Sequence, residues 1–241
     1  MSTEPPMVTA GPLVDPASVP RWLGHLVRST AELGPGGFGR IPAPRQAPPE
    51  AGRAAAVLVL FAEDSRTGEP DVLLALRSYQ LSSHAGQVCF PGGAVDGADD
   101  GPVATALREA SEEVGVRVED VRPVAVMPQL YLPPSDFVVT PVLAHWERPG
   151  PVAPVDPRET AAVARVLLRV LADPVNRLIV RGPSGYPNPA FVLPGMLIWG
   201  FTGGLLAALL AMGGWERPWE PATEYGLDVA WRLAERTEVI R

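Results

Sequence analysis

Lysine is absent from this chain; all 20 of its basic side chains are arginine. Together with abundant alanine, glycine and 29 prolines, that absence reflects the codon bias of a GC-rich bacterial genome and says nothing about function. Cysteine is almost absent too. With Cys89 alone no disulfide can close within the chain, and a reducing cytoplasm is the expected compartment. Positive charge is in deficit, with 20 basic against 27 acidic residues and a formal charge of −7. That balance argues against nucleic acid or an anionic membrane as a partner. The opening MSTEPPMVTAGPL has no basic start followed by an apolar run, so no secretory signal is read there.

Long apolar runs are scarce as well. FVLPGMLIWGFTGGLLAALLAM (191–212) is uncharged, but Pro194, Gly195, Gly200, Gly203 and Gly204 interrupt it and no basic cluster flanks it. It reads as a buried strand and core helix, not a membrane span. At 241 residues, 46% apolar and 20% charged, the chain can bury one large core and is neither disordered nor a coiled coil.

Residues 1–20 read as a flexible arm, and 21–241 as a single domain with its core at about 54–212. Within it, 21–33 has helical spacing and 34–53 reads as a long surface connection. Strands are expected at 54–62, 71–78, 87–90, 121–130, 137–146 and 178–180. A helix is expected over 102–115, with Pro102 in its first turn and Gly115 as its stop. Strand and helix signals do not separate over 159–174, and 182–195 is a Pro/Gly-rich stretch. Strands interleaved with few helices indicate an α/β (α+β) domain.

The helix at 102–115 carries the chemistry. Glu109, Glu112 and Glu113 stand at i, i+3 and i+4, so three carboxylates share one helical face. Such a triplet is either a solvated face with arginine partners or a site for divalent cations, which hard carboxylate oxygens suit.

The wider run decides between them. Gly92-Gly93, an acidic loop (Asp96, Asp99, Asp100) and REASEEVGV (108–116) resemble the Nudix box, G-x5-E-x7-R-E-U-x-E-E-x-G-U with U apolar. The last nine positions match. In the front half Asp99 stands six residues after Gly93, where a glutamate is usual, but eight residues instead of seven separate it from Arg108, and either Asp99 or Asp100 replaces the glutamate. Upstream, LLALRSYQLSSHAGQVCFPGGAVDGAD (73–99) is similar to the signature of the coenzyme A pyrophosphatase branch of Nudix hydrolases, with Ala75 for threonine and Asp96 for glutamate. Members of that branch share the longer spacing after the double glycine. SDFVVTPVLA, VLADPVNR and IWGFTGG resemble further segments of the branch.

The resemblance implies a Nudix-fold α/β/α sandwich with a mixed central sheet. It also implies Mg²⁺ or Mn²⁺ held by Glu109, Glu112 and Glu113, and a small-molecule substrate, with a homodimer left open. Arg108 would orient a glutamate, and Gly92 and Gly93 would let backbone approach the substrate. Glu109, Arg108 and Glu112 form the candidate catalytic set; the general base is Glu109 or a distant carboxylate such as Glu159. Arg77 and Ser78 are candidates for the anionic coenzyme A moiety. His84 reads either as a hydrogen-bonded structural residue or as part of the site, and Cys89 as a core thiol. The implied reaction is hydrolysis of coenzyme A or its thioesters to 4′-phosphopantetheine (or its acyl form) and 3′,5′-ADP. Hydrolysis of another nucleoside diphosphate derivative and a non-catalytic Nudix-fold binding domain are the alternatives.

Overall fold

The computed structural model describes residues 9–33, 52–133, 135–182, 185–220 and 224–236. The first eight residues of the expected arm, and all but the last two of the expected connection over 34–53, lie outside them. In chain order the elements begin with β1 (Gly11–Pro12), α1 (Arg21–Ser29), β2 (Arg53–Glu63), β3 (Pro70–Arg77), β4 (Val88–Cys89) and β5 (Gly92–Ala94). There follow α2 (Gly101–Val114), β6 (Val121–Val126), β7 (Leu130–Leu132), β8 (Phe137–Trp146), β9 (Thr160–Leu167) and α3 (Leu168–Ala172). The last are β10 (Arg177–Arg181), β11 (Pro187–Leu193), β12 (Met196–Ile198), α4 (Gly200–Met212), β13 (Glu224–Gly226) and α5 (Leu227–Arg236).

Alternation along the strands builds the sandwich. In β2, Ala56, Leu58, Leu60 and Ala62 pack in one core with Ala106, Ala110 and Val114 of α2. The intervening Val59 and Phe61 join a second core with Leu23 and Leu26 of α1 and Leu205, Leu206 and Leu209 of α4. A period of two thus sends successive side chains to opposite helical layers. The sheet is mixed, in the order β1-β6-β8-β2-β3-β4, with β2 and β8 parallel and β5, β7 and β9 on β2, β8 and β3. This is the α/β/α sandwich of a mixed α+β fold.

A smaller sheet, β12-β11-β10-β13, packs Val180, Val192 and Leu197 with Ala230 and Ala234 of α5, while its Phe191, Leu193 and Ile198 join the core of α1 and α4. Two sequence expectations change here. The Pro/Gly-rich stretch 182–195 contains a seven-residue strand, β11. Its Pro187 and Pro189 fall in the half that β12 does not reach, where a missing N–H is tolerated. The run 121–130 is not one strand: β6 ends at Val126 and β7 starts at Leu130, with Pro128 between them.

The arm expectation fails for residues 11–20. β1 pairs with Val126 and Ala125 of β6, and the Leu13 N–H donates to the Val124 carbonyl at 2.9 Å. Arg122 then reaches the Ser18 carbonyl at 3.0 Å, and Val19 is buried. Over 159–174, strand gives way to helix between Leu167 and Leu168. Among the described residues no helix is long and apolar enough to cross a membrane. α4 has 13 residues, and Leu205, Leu206, Leu209 and Leu210 are each at most 1% exposed. Each such leucine stabilises the fold by about 1.5–3 kcal/mol.

Candidate active site

Two backbone devices place the acidic helix. β5 is stitched to the start of β2, Val57 opposite Gly92 and Ala56 opposite Gly93. A Cβ at Gly92 would run into the Ala56 carbonyl and the Val57 backbone, so only glycine permits this approach. At its other end α2 closes on Gly115, whose φ of 73° is left-handed and whose N–H donates to the Ser111 carbonyl at 3.0 Å. Ala106, Ala110 and Val114 bury one stripe of the helix.

That stripe grades the three carboxylates. Glu113 lies close to it in the helical projection, Glu109 on its flank and Glu112 beyond. Glu112 is accordingly 60% exposed and Glu109 17%. Burial pushes the Glu113 carboxyl up to about 7; the Gly92 N–H, donating to it at 3.1 Å, opposes the rise, and the charge on Glu109 adds to it. Arg77 lies close enough to Glu113 to oppose the rise, and Glu159 close enough to increase it. Burial raises Glu109 as well, against the lowering effect of Arg108. A uniformly solvated face, which the sequence allows, is therefore not what forms.

Arg108 organises the open side. Its Nε and Nη2 donate to the two carboxylate oxygens of Asp99, each at 2.9 Å, a bidentate pair. Nη2 also reaches the Ala94 carbonyl at 3.1 Å, and Nη1 bridges Glu109 at 2.9 Å and Glu112 at 3.0 Å. Asp99 further accepts from the Thr105 hydroxyl and the Asp96 N–H, both at 2.9 Å. Arg108 holds the Asp99 carboxyl well below the usual carboxylate range. Asp99, and not Asp100, thus meets the box arginine; Asp100 precedes the first turn of α2 without a side-chain cap bond. Thr105 escaped the sequence reading, although its position three residues before Arg108 puts both on one face.

Gly93 sits over Glu109. A Cβ there would stand 2.6 Å from the Glu109 carboxylate, so the bare backbone cradles this group. Arg77, at the end of β3, brings its charge beside Glu113 and Cys89, and its buried Nε has no hydrogen-bond partner. Ser78 is 3% exposed and its hydroxyl accepts the Gln80 N–H at 3.3 Å, so it shapes a turn and is not presented to a ligand. His84 stands on the exposed outer loop with its Nδ1 3.1 Å from Gln87 Oε1, apart from the carboxylates. Burial pushes the Cys89 thiol up to about 12, so it is not a nucleophile at neutral pH.

Among the described residues no three acidic, histidine or cysteine side chains already converge as a cage for a metal ion. The ridge is spread out instead, Glu109 and Glu112 drawn to Arg108 and Glu113 to Gly92. Its chemistry still fits a hard divalent ion. The donors are all carboxylate oxygens, and burial raises two of them despite the positive charge of Arg108 and Arg77 nearby.

The family model of the NUDIX domain matches residues 51–178, a segment that holds every one of these groups. The chain belongs to the Nudix family. Members of this family generally use divalent metals such as Mg²⁺ or Mn²⁺. Among curated relatives, the uncharacterized Nudix hydrolase NudL of Klebsiella aerogenes is 48% identical over 101 residues, 40% of this chain and 78% of that one. The NudL of Citrobacter koseri is 48% identical over 95 residues, 38% of this chain and 45% of that one, so the match spans less than half of that relative. Solved structures with this likeness include a Nudix hydrolase from M. smegmatis, RenU, at 27% identity and TM-score 0.42 over 50% of this chain and 74% of that one. A NUDIX hydrolase from Alicyclobacillus acidocaldarius gives 20% identity and TM-score 0.43 over 66% and 91%.

Proposed function

We propose that this Nudix hydrolase cleaves the pyrophosphate of coenzyme A and its thioesters, with water, to 4′-phosphopantetheine (or its acyl form) and 3′,5′-ADP. The observation that carries the reading is the run from Leu73 to Asp99. It is similar to the coenzyme A pyrophosphatase signature, and it leads without a break from Arg77, beside Glu113, to Asp99, on Arg108. The curated relatives are themselves uncharacterized, so this run and the chemistry around it are what support the substrate.

Glu109, Glu112 and Glu113 would hold Mg²⁺ or Mn²⁺, which when bound neutralises phosphate charge and makes a water nucleophilic at neutral pH. Asp99 fixes the Arg108 guanidinium by its bidentate pair, and Arg108 in turn fixes Glu109 and Glu112. Gly92 lets β5 close on β2 and Gly93 leaves room for the Glu109 carboxylate, so the glycines set the ridge where a phosphate would approach. Arg77 adds positive charge on the inner side of the site, where pyrophosphate oxygens gain charge on cleavage. Proton removal from water falls to Glu109 or to Glu159, both carboxylates around Glu113. Glu159 is an exposed residue at the threshold of β9.

Mass spectrometry of the products after incubating coenzyme A with the protein and Mg²⁺ tests the proposal. The expected pair is 4′-phosphopantetheine and 3′,5′-ADP. Intact coenzyme A alongside turnover of ADP-ribose or NADH would move the assignment to another nucleoside diphosphate derivative. No turnover of any of the three would favour a binding domain.

A further inference from the structure

We propose that the Tyr79 ring is a stacking platform for the nucleobase of the substrate, a subsite outside the carboxylate and glycine motifs. The inference rests on the pyrophosphate reading above and adds where the adenine half is held.

Tyr79 is 69% exposed, unusual for so large an apolar surface beside a polar site. Its ring is nonetheless seated. Gly86, left-handed at φ 68°, lies against one edge of it, and a Cβ on that residue would stand 2.5 Å from Tyr79 Cε1 and 2.9 Å from Cδ1. The Cδ1–Cε1 edge of the ring is therefore held against bare backbone while most of the residue's surface faces solvent. A flat π-face open to solvent on a ring held at its edge is the chemistry that binds a planar heterocycle.

The loop that carries it is pinned to the site. The Arg77 N–H donates to the Gln87 carbonyl at 2.9 Å and the Gly86 N–H to the Arg77 carbonyl at 3.2 Å, closing the loop at its base. The Ser78 N–H donates to the Glu159 carbonyl at 2.8 Å, tying the loop to the segment that brings a carboxylate towards Glu113. Inside the loop His84 is held at φ 55°, a conformation unfavourable for a side chain with a Cβ, with its ring nitrogen 3.1 Å from Gln87 Oε1. The fold thus fixes the loop in place. Tyr79 lies two residues beyond Arg77, a chain reach of at most about 7 Å. A diphosphate beside Arg77 and Glu113 has its base within range of the ring.

Isothermal titration with ADP and with inorganic pyrophosphate, both in the presence of Mg²⁺, tests this on the wild-type protein, Tyr79→Ala and Tyr79→Phe. The expected result is that Tyr79→Ala weakens ADP by roughly 5- to 100-fold, the range for one base stacked on an aromatic ring. Pyrophosphate should stay within about twofold, and Tyr79→Phe should keep the wild-type affinity for both because the ring face is retained. Equal weakening of both probes by Tyr79→Ala, or weakening of neither, overturns the platform and leaves the pyrophosphate site standing. A Tyr79→Phe variant as weak for ADP as Tyr79→Ala overturns it too, because the hydroxyl would then be the contact. Wild-type protein that binds neither probe overturns the underlying reading together with this one.

Discussion

The Gly92 N–H donates to the Glu113 carboxylate at 3.1 Å across 21 residues of sequence, joining β5 to the inner side of α2. One hydrogen bond is modest compensation for a carboxylate that burial pushes up to about 7. Glu113→Gln keeps an acceptor for Gly92 and removes the buried charge. The metal-free variant should therefore melt no lower than the wild type, while kcat falls by at least about a hundredfold through loss of an ion ligand. Melting in EDTA and turnover with Mg²⁺ check the two halves. A variant that melts lower and whose folded fraction keeps full activity would make Glu113 a structural residue.

Asp99 and Asp100 are neighbours with unequal tasks. Asp99→Asn removes a bidentate partner of Arg108, which is 30% exposed, and should cost about 1–3 kcal/mol of stability together with much of the activity. Asp100→Asn should change neither by more than about 0.5 kcal/mol. Urea titrations and kcat measured on both variants check this, and a reversed order would return the loop position to Asp100.

The two glycines separate scaffold from site. Gly92→Ala puts a Cβ into the β2 backbone and should lower the melting temperature by several degrees. Gly93→Ala pushes first on the Glu109 side chain, so it should lower kcat while the melting temperature holds. Thermal melts paired with kinetics tell the two apart.

The charge of Arg77 lies beside Glu113, which favours a contact shared by all pyrophosphate substrates over one confined to the 3′-phosphate of coenzyme A. Arg77→Ala should lower kcat/KM for coenzyme A and for 3′-dephospho-CoA alike, by about 1.5–3 kcal/mol each. A loss confined to coenzyme A would put the guanidinium on the 3′-phosphate after all.

His145 provides a pH test away from the site. Burial on β8 lowers its pKa below the usual 6.5, and its ring packs edge-on to Trp22 at 6.1 Å. Protonation then favours the unfolded chain. The stability it contributes is complete above about 6.5 and is lost as pH falls through the lower folded value. Urea unfolding between pH 8 and 5 should show wild-type stability declining below 6.5, and His145→Asn should flatten that decline.

Much of this was legible in residue patterns. The continuous apolar run of strand length at 54–62, the strand at 71–78 and the Pro102-to-Gly115 helix define the sandwich, because each is a local signal that tertiary packing reinforces. The site's grading was less accessible. Glu109, Glu112 and Glu113 look alike as a triplet, and only the stripe of Ala106, Ala110 and Val114 distinguishes the one nearest the core. The choice between Asp99 and Asp100 depends on loop geometry that spacing cannot give. The strand through Pro187 and Pro189 was hidden for another reason. Two prolines read as a loop unless it is known that the neighbouring strand stops short of them.

The NUDIX match stops at residue 178, inside β10, but the hydrophobic interior does not. α4 begins 22 residues later and packs Leu205, Leu206 and Leu209 with Val59 and Phe61 of the central strand. A fragment ended at the match boundary would leave the sheet's α1 side half-clothed, a sticky apolar surface more suited to inclusion bodies than to an assay. The unit of homology here is shorter than the unit of folding. Anyone trimming this protein for expression should cut by the core.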